Sequence, residues 1–117
     1  TFPSAATRRL REMGAWLYSN GEAVYGASPV KLDVDKGIYL TQKTIERKHF
    51  LYITLDKPNN TIYLPIDASI VKECFAMESG MPITYRATGG LMRIELPKEI
   101  IEEQSLTVLK MELTRPL

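Results

Sequence analysis

A series of short alternating segments, running from residue 37 to the end of the chain, constrains the fold more than any other feature. In GIYLTQK (37–43), Ile38 and Leu40 alternate with polar and aromatic residues, and HFLYITL (49–55) repeats the pattern. Aromatic and β-branched residues favour pleated strands. The same pattern predicts strands over 37–43, 49–55, 61–65, 69–77, 82–87, 91–96 and 106–113.

Turn-forming residues separate these segments about every ten residues. They cluster at 56–60, 79–80 and 89–90, and PKEIIEE predicts a short helical turn before the last strand. Short strands divided by regular turns are typical of an antiparallel β-sandwich. We therefore predict an all-β fold, namely an antiparallel β-sandwich preceded by one N-terminal helix.

The first twenty residues have the period of a helix instead. Ser4 is a suitable N-cap, and Asn20 and Gly21 tolerate positive φ, so the helix is predicted to end there. One face of this helix carries the apolar residues Ala6, Leu10, Met13 and Leu17. The chain then divides into a helix (1–20), a junction segment (21–36) and a sandwich (37–117).

Charge and composition exclude several classes of partner. The chain has 15 Lys and Arg against 14 Asp and Glu, a net charge of +1, which is far from the basic excess that nucleic-acid binding requires. No stretch has the roughly 18 apolar residues of a membrane span, and the start lacks the apolar core of a signal peptide. Neither nucleic acid nor membrane is expected as a partner. A chain that begins at Thr1, just before an apolar helix face, suggests a fragment or a processed chain.

Few residues have the spacing of a chemical site. The lone His49 precedes a strand pattern, which favours a strand-edge position over catalysis. Asp33 and Asp35 could point the same way toward a hard cation, but two carboxylates in a charged loop are more often solvated. The lone Cys74 is expected to be a small buried thiol. A solvated hairpin loop is expected for the basic cluster Lys43, Arg47 and Lys48.

Two further features relate to carbohydrate. Asn59-Asn60-Thr61 matches the N-glycosylation pattern and lies in a predicted turn. Six tyrosines and Trp16 could stack on sugar rings, although the alternating strand positions of most tyrosines favour packing in the core or on a sheet face. Trp16 is expected to pack on the sheet or on a neighbouring domain.

The segment LREMGAWLYSNGEAVYGASP (10–29) carries a more specific signal. It resembles the junction after the last barrel helix in the α-L-fucosidases of glycoside hydrolase family 29. The matching residues are Gly14, Trp16, Leu17, Asn20, Gly21, Glu22, Ala23, Val24 and Tyr25. The segments 38–43, 51–58, 89–97 and 106–113 are similar to successive strands of that family's C-terminal domain, in the same order.

This resemblance implies part of a retaining exo-glycosidase that removes terminal α-L-fucose. Such an enzyme needs two carboxylates about 5 Å apart, held on a barrel of about 200 residues or more, which this chain is too short to contain. We therefore predict no catalytic, cofactor-binding or metal-binding residue and no cofactor. The expected partners are the catalytic barrel of the same enzyme and a fucosylated glycan, and the resemblance implies a secreted, periplasmic or lysosomal location.

The resemblance also bears on Glu22, which is either a catalytic acid or part of a joint. Glu22 matches a linker position, so its carboxylate is expected to accept hydrogen bonds from turn N–H groups or to pair with an arginine across the domain joint. Two other functions stay open for the domain: a carbohydrate-binding module that uses exposed aromatics, and a scaffolding or oligomerisation domain.

Overall fold

A computed structural model describes residues 20–102 and 106–117. Eight strands form in this part of the chain: β1 (Ser28–Pro29), β2 (Ile38–Ile45), β3 (Lys48–Leu55), β4 (Thr61–Leu64), β5 (Val71–Ala76), β6 (Thr84–Thr88), β7 (Leu91–Glu95) and β8 (Thr107–Leu113). Short 3₁₀ helices occur at Gly21–Ala23 and Ala68–Ile70, and one helical turn, α1, at Lys98–Ile101. No helix within these ranges is long and apolar enough to cross a membrane.

The strands form two antiparallel sheets. The large sheet has the order β1-β2-β3-β8-β5, and the small sheet has the order β4-β7-β6. The predicted antiparallel all-β fold is confirmed, and the seven predicted strands correspond to β2 through β8. The predicted helix over 1–20 lies outside the described residues, apart from Asn20. Alternation could not reveal β1, because that strand contains only two residues.

The alternation of apolar side chains builds one core shared by both sheets. Leu51, Ile53 and Leu55 of β3 are completely buried, as are Met92 and Ile94 of β7, and all five belong to a single cluster. Full burial of each such side chain stabilises the fold by roughly 1.5–3 kcal/mol. The alternate side chains of each sheet point away from this core and form two outer faces.

Tight turns set the register of two hairpins. The β2–β3 turn consists of Glu46 and Arg47, with φ of 50° and 69°, and the β6–β7 turn of Gly89 and Gly90, with φ of 54° and 82°. Two-residue turns with positive φ match the twist of antiparallel strands. The basic cluster predicted to form a hairpin loop is instead divided, because only Arg47 lies in the turn while Lys43 and Lys48 belong to β2 and β3.

Asn20 and Gly21 do not have the positive φ that the sequence suggested for the helix end predicted there. Asn20 has a φ of −125°, and Gly21 begins a 3₁₀ helix that continues to Ala23, so neither residue supplies a positive φ. Gly26, with a φ of 71°, has that conformation instead. A Cβ at Gly21 would lie 2.9 Å from the exposed Tyr25 ring, so a larger residue there would require that ring to shift.

Candidate functional site

A group of interacting polar side chains lies where the junction crosses the outer face of the large sheet. Two side chains of β2 hold the junction backbone there. Thr41 Oγ1 donates a hydrogen bond to the Ala23 carbonyl at 2.7 Å, and Lys43 Nζ donates one to the Tyr25 carbonyl at 2.8 Å. The junction therefore lies along the sheet before it enters β1.

A second, smaller core forms beneath the junction. Ala23, Tyr52 and Val108 are almost completely buried and contact one another, and the partly buried Phe50 and Met77 pack against them. Tyr52 belongs to β3 and Val108 to β8, and both point away from the main core. The part of this face around Tyr52 and Val108 is thus covered by the junction.

Glu22 connects the junction to two neighbouring strands. The Tyr52 hydroxyl donates a hydrogen bond to Glu22 Oε2 at 2.5 Å, and Lys110 Nζ lies 2.5 Å from the same oxygen. Tyr52 and Lys110 are directly opposite each other in the β3–β8 register, so one carboxylate oxygen reaches both. We call Glu22, Tyr52 and Lys110 the joint cluster.

Aromatic rings also surround the lysine of the joint cluster. Lys110 Nζ lies 4.3 Å from the centre of the Phe50 ring, and the Lys110 side chain is only 16% exposed. A lysine ammonium over an aromatic face is attracted by the ring quadrupole. The Lys110 ammonium thus lies over the Phe50 ring and beside the Glu22 carboxylate.

The pKa values of the joint cluster follow from these contacts. Partial burial acts to raise the pKa of Glu22, but the hydrogen bonds from Lys110 and Tyr52 and the charges of Lys110 and Lys43 outweigh it and lower that pKa. Burial, followed by the bond to Glu22 and its charge, raises the pKa of Tyr52 well above its ordinary value. Glu22 is consequently a carboxylate and Tyr52 a neutral donor across the neutral pH range.

This arrangement changes the expectation for Glu22. The sequence suggested turn N–H groups or an arginine as its partners, whereas the structure provides a lysine and a tyrosine. A glycosidase general acid needs a raised pKa so that it carries a proton near neutrality. The pKa of Glu22 is lowered, which is the opposite change.

The other candidate residues are separate from the joint cluster. Asp33 and Asp35 are exposed, and no group of three or more His, Cys, Asp or Glu side chains with metal-binding geometry occurs in residues 20–102 or 106–117. His49 shares a hydrogen bond of 2.9 Å with Thr44 Oγ1 and lies near the start of β3, which is an internal strand of the large sheet and not an edge strand.

Cys74 and the N-glycosylation pattern also lie away from the joint cluster. Cys74 is buried, as predicted, and burial raises the pKa of its thiol to about 12, so it is a poor nucleophile. Asn59 is exposed in the turn before β4, while the Thr61 hydroxyl donates a hydrogen bond to Glu95 at 3.0 Å.

The tyrosines fall into two groups. Tyr52 is completely buried, and the half-buried Tyr85 donates its hydroxyl to the Val71 carbonyl at 3.3 Å. Three others are exposed: Tyr25 by 64%, Tyr39 by 59% and Tyr63 by 41%. Packing in the core or on a sheet face, which the sequence favoured, is thus found for Tyr52 and Tyr85. Trp16 and Tyr18 lie outside the described residues.

Comparison with solved structures finds α-L-fucosidases. The isoenzyme 1 from Paenibacillus thiaminolyticus matches with a TM-score of 0.75 and 23% identity, over 95% of this chain and 27% of that chain. A family 29 α-L-fucosidase from Bacteroides thetaiotaomicron matches with a TM-score of 0.74 and 18% identity, over 94% and 25%. The α-fucosidase from Thermotoga maritima matches with a TM-score of 0.66 and 22% identity, over 95% and 27%.

These matches confirm the resemblance at the level of the fold. The chain spans about a quarter of the length of the fucosidases it matches, so the shared fold is one part of those proteins. No family model matches the sequence, and neither does any curated protein.

Proposed function

We propose that this chain is the non-catalytic C-terminal domain of an α-L-fucosidase of glycoside hydrolase family 29, and that its two sheets pack as a β-sandwich. The observation that carries the proposal is a fold match over 95% of this chain to about a quarter of a fucosidase chain. The core that both sheets share supports the sandwich. On this proposal the domain occupies residues 37–117 and is attached through the junction at 21–36.

The catalytic partner in this proposal is a barrel that precedes the junction and acts on terminal α-L-fucose. The joint cluster then stabilises the attachment, since Glu22 belongs to the junction while Tyr52 and Lys110 belong to the sheet. A charge-assisted hydrogen bond is stronger than a neutral one, and it fixes the orientation of its partners. The barrel packs on the junction side of the large sheet, where Tyr25 and Tyr39 are exposed.

Activity measurements test the proposal. The 117-residue chain and the protein that its gene encodes, including any sequence before Thr1, are each assayed with para-nitrophenyl α-L-fucoside. We expect hydrolysis by the longer protein and none by the chain alone. Activity of the chain alone, or a gene that encodes no barrel before Thr1, would contradict the proposal.

The Glu22→Gln variant of the longer protein separates the two roles considered for Glu22. A structural Glu22 leaves kcat within about twofold, because the substitution removes neither an acid nor a nucleophile. A loss of kcat by several orders of magnitude, with normal folding, would identify Glu22 as a catalytic residue. Glu112→Gln on the same sheet serves as the matched control, because Glu112 pairs with Lys72 and not with the junction.

A further inference from the structure

The outer face of the small sheet carries a row of three large polar side chains, one from each strand. In the strand register, Tyr63 of β4 lies opposite Arg93 of β7, and Arg86 of β6 lies opposite Arg93 on the other side. Strand neighbours Ile62 and Ile94 point into the core, so the row points outward. With two inter-strand spacings, the row spans about 10 Å. We call Tyr63, Arg86 and Arg93 the arginine row.

The charges of the arginine row are incompletely matched. Arg93 Nε lies 2.5 Å from Glu95 Oε1, whereas Arg86 is exposed and has no carboxylate partner in residues 20–102 and 106–117. Like charges directly opposite each other in a sheet are destabilising. A bound anion would supply the missing negative charge between the two guanidinium groups.

The third member of the row adds an apolar surface. Tyr63 is 41% exposed and stands beside Arg93 at the edge of the small sheet. A tyrosine ring presents an apolar face together with a polar hydroxyl, which suits the stacking of a sugar ring. A guanidinium binds carboxylates through two parallel hydrogen bonds. The arginine row thus combines features that recognise a ring and a carboxylate about one strand spacing apart.

We propose that the arginine row binds an acidic glycan, with a uronic-acid carboxylate at Arg86 and Arg93 and a neighbouring sugar ring on Tyr63. The requirement for an anion rests on the charges of the row, while the choice of a carbohydrate rests on the proposed function. The row lies on the opposite outer face from the joint cluster. A glycan bound there leaves the junction side free for the catalytic barrel.

Titration calorimetry of the 117-residue chain with a short oligogalacturonate tests this site. The methyl-esterified oligosaccharide is the matched control, since it keeps the sugar rings and lacks the charge. We expect binding of the acid form and at least tenfold weaker binding of the ester, because hydrogen bonds to charged groups are the stronger ones. No binding of the acid form, or equal binding of both forms, would overturn the proposal.

Three variants locate the site. Arg86→Gln is expected to weaken binding about tenfold and Tyr63→Ser several-fold. Glu95→Gln is expected to strengthen binding about threefold, because it removes the carboxylate that competes for Arg93. Arg47→Gln removes the same charge from the exposed β2–β3 turn and should leave binding unchanged. If Arg47→Gln weakens binding as much as Arg86→Gln, the net charge of the chain explains the binding and not the arginine row, and the proposal is overturned.

A polyaspartate peptide distinguishes the carbohydrate from another acidic partner. Equal binding of polyaspartate, dependent on Arg86 but not on Tyr63, would overturn the glycan and indicate an acidic protein surface. These measurements use the chain alone and involve no hydrolysis. A negative binding result would therefore overturn only the acidic-glycan proposal, and it can be distinguished from a negative result in the fucosidase assay.

Discussion

The charged side chains on the outer faces of the two sheets differ in how completely they are paired within the chain. On the large sheet, Glu22 of the junction is bound by Tyr52 and Lys110. On the small sheet, Arg86 and Arg93 are directly opposite each other, and the one neighbouring carboxylate, Glu95, pairs with Arg93. The carboxylate on the first face has its partners within the chain, whereas Arg86 on the second face is exposed to solvent without one in the described residues.

This difference indicates separate roles for the two faces. Where the chain completes its own ion pair and buries an aromatic residue, substitutions should change stability. Where it leaves an arginine unmatched on the surface, substitutions should change binding and leave stability almost untouched. The predictions below compare equivalent residues on the two faces.

The largest difference is expected between the two tyrosines. Tyr52→Ala should lower the free energy of unfolding by about 3–5 kcal/mol, because it removes a fully buried aromatic side chain. Tyr63→Ala should change it by only about 0.5 kcal/mol. Urea denaturation of both variants measures the difference, and Tyr52→Phe, which removes only the hydroxyl, should cost about 1 kcal/mol. Equal losses for Tyr52→Ala and Tyr63→Ala would mean that the large sheet has no second core.

A smaller difference in the free energy of unfolding is expected between substitutions of Glu22 and of Glu95. Glu22→Gln should cost about 1 kcal/mol, because it weakens the bonds to Tyr52 and Lys110 at a site that is only partly exposed. Glu95→Gln should cost at most about 0.5 kcal/mol, the usual value of a surface ion pair. A double-mutant cycle of Glu22→Gln with Tyr52→Phe should give a coupling energy of at least about 0.5 kcal/mol. Additive losses would show that the two side chains do not interact.

The pH dependence of stability should also depend on Glu22. Its pKa is lower in the folded state than in the unfolded state, so its contribution is complete above the ordinary glutamate pKa and is lost as the pH falls toward the lowered value. The urea midpoints of the wild type and of Glu22→Gln should therefore differ at pH 7 and converge below about pH 4. A difference that persists unchanged at pH 3 would assign the effect of Glu22 to packing instead of charge.

The smallest effect is expected at Arg86. Arg86→Gln should leave stability within about 0.5 kcal/mol, with a slight gain because it removes the like-charge contact with Arg93. Thermal unfolding in low salt measures this change, and added salt should reduce it because salt screens exposed charges. A loss of more than about 1 kcal/mol would mean that Arg86 has a structural partner and is not available to a ligand.

The sequence predicted strands better than it predicted contacts. Seven of the eight strands could be located because alternation and turn residues are local features. The pair Arg86 and Arg93 could also have been found, since a two-residue Gly89-Gly90 turn fixes their register. Lys110 could not be identified as the partner of Glu22, because that contact requires the pairing of β3 with β8, which are distant in the sequence. The position of Tyr63 beside Arg93 depends on a similar non-local pairing.

Tyrosine footprinting tests the central claim most directly, namely that this domain joins a catalytic barrel through the junction side of the large sheet. Tyrosine modification is measured in the 117-residue chain and in the protein that its gene encodes. We predict that Tyr25 and Tyr39 react in the chain alone and are protected in the longer protein, while Tyr63 reacts equally in both. Protection of Tyr63 with continued reaction of Tyr25 and Tyr39 would contradict this account.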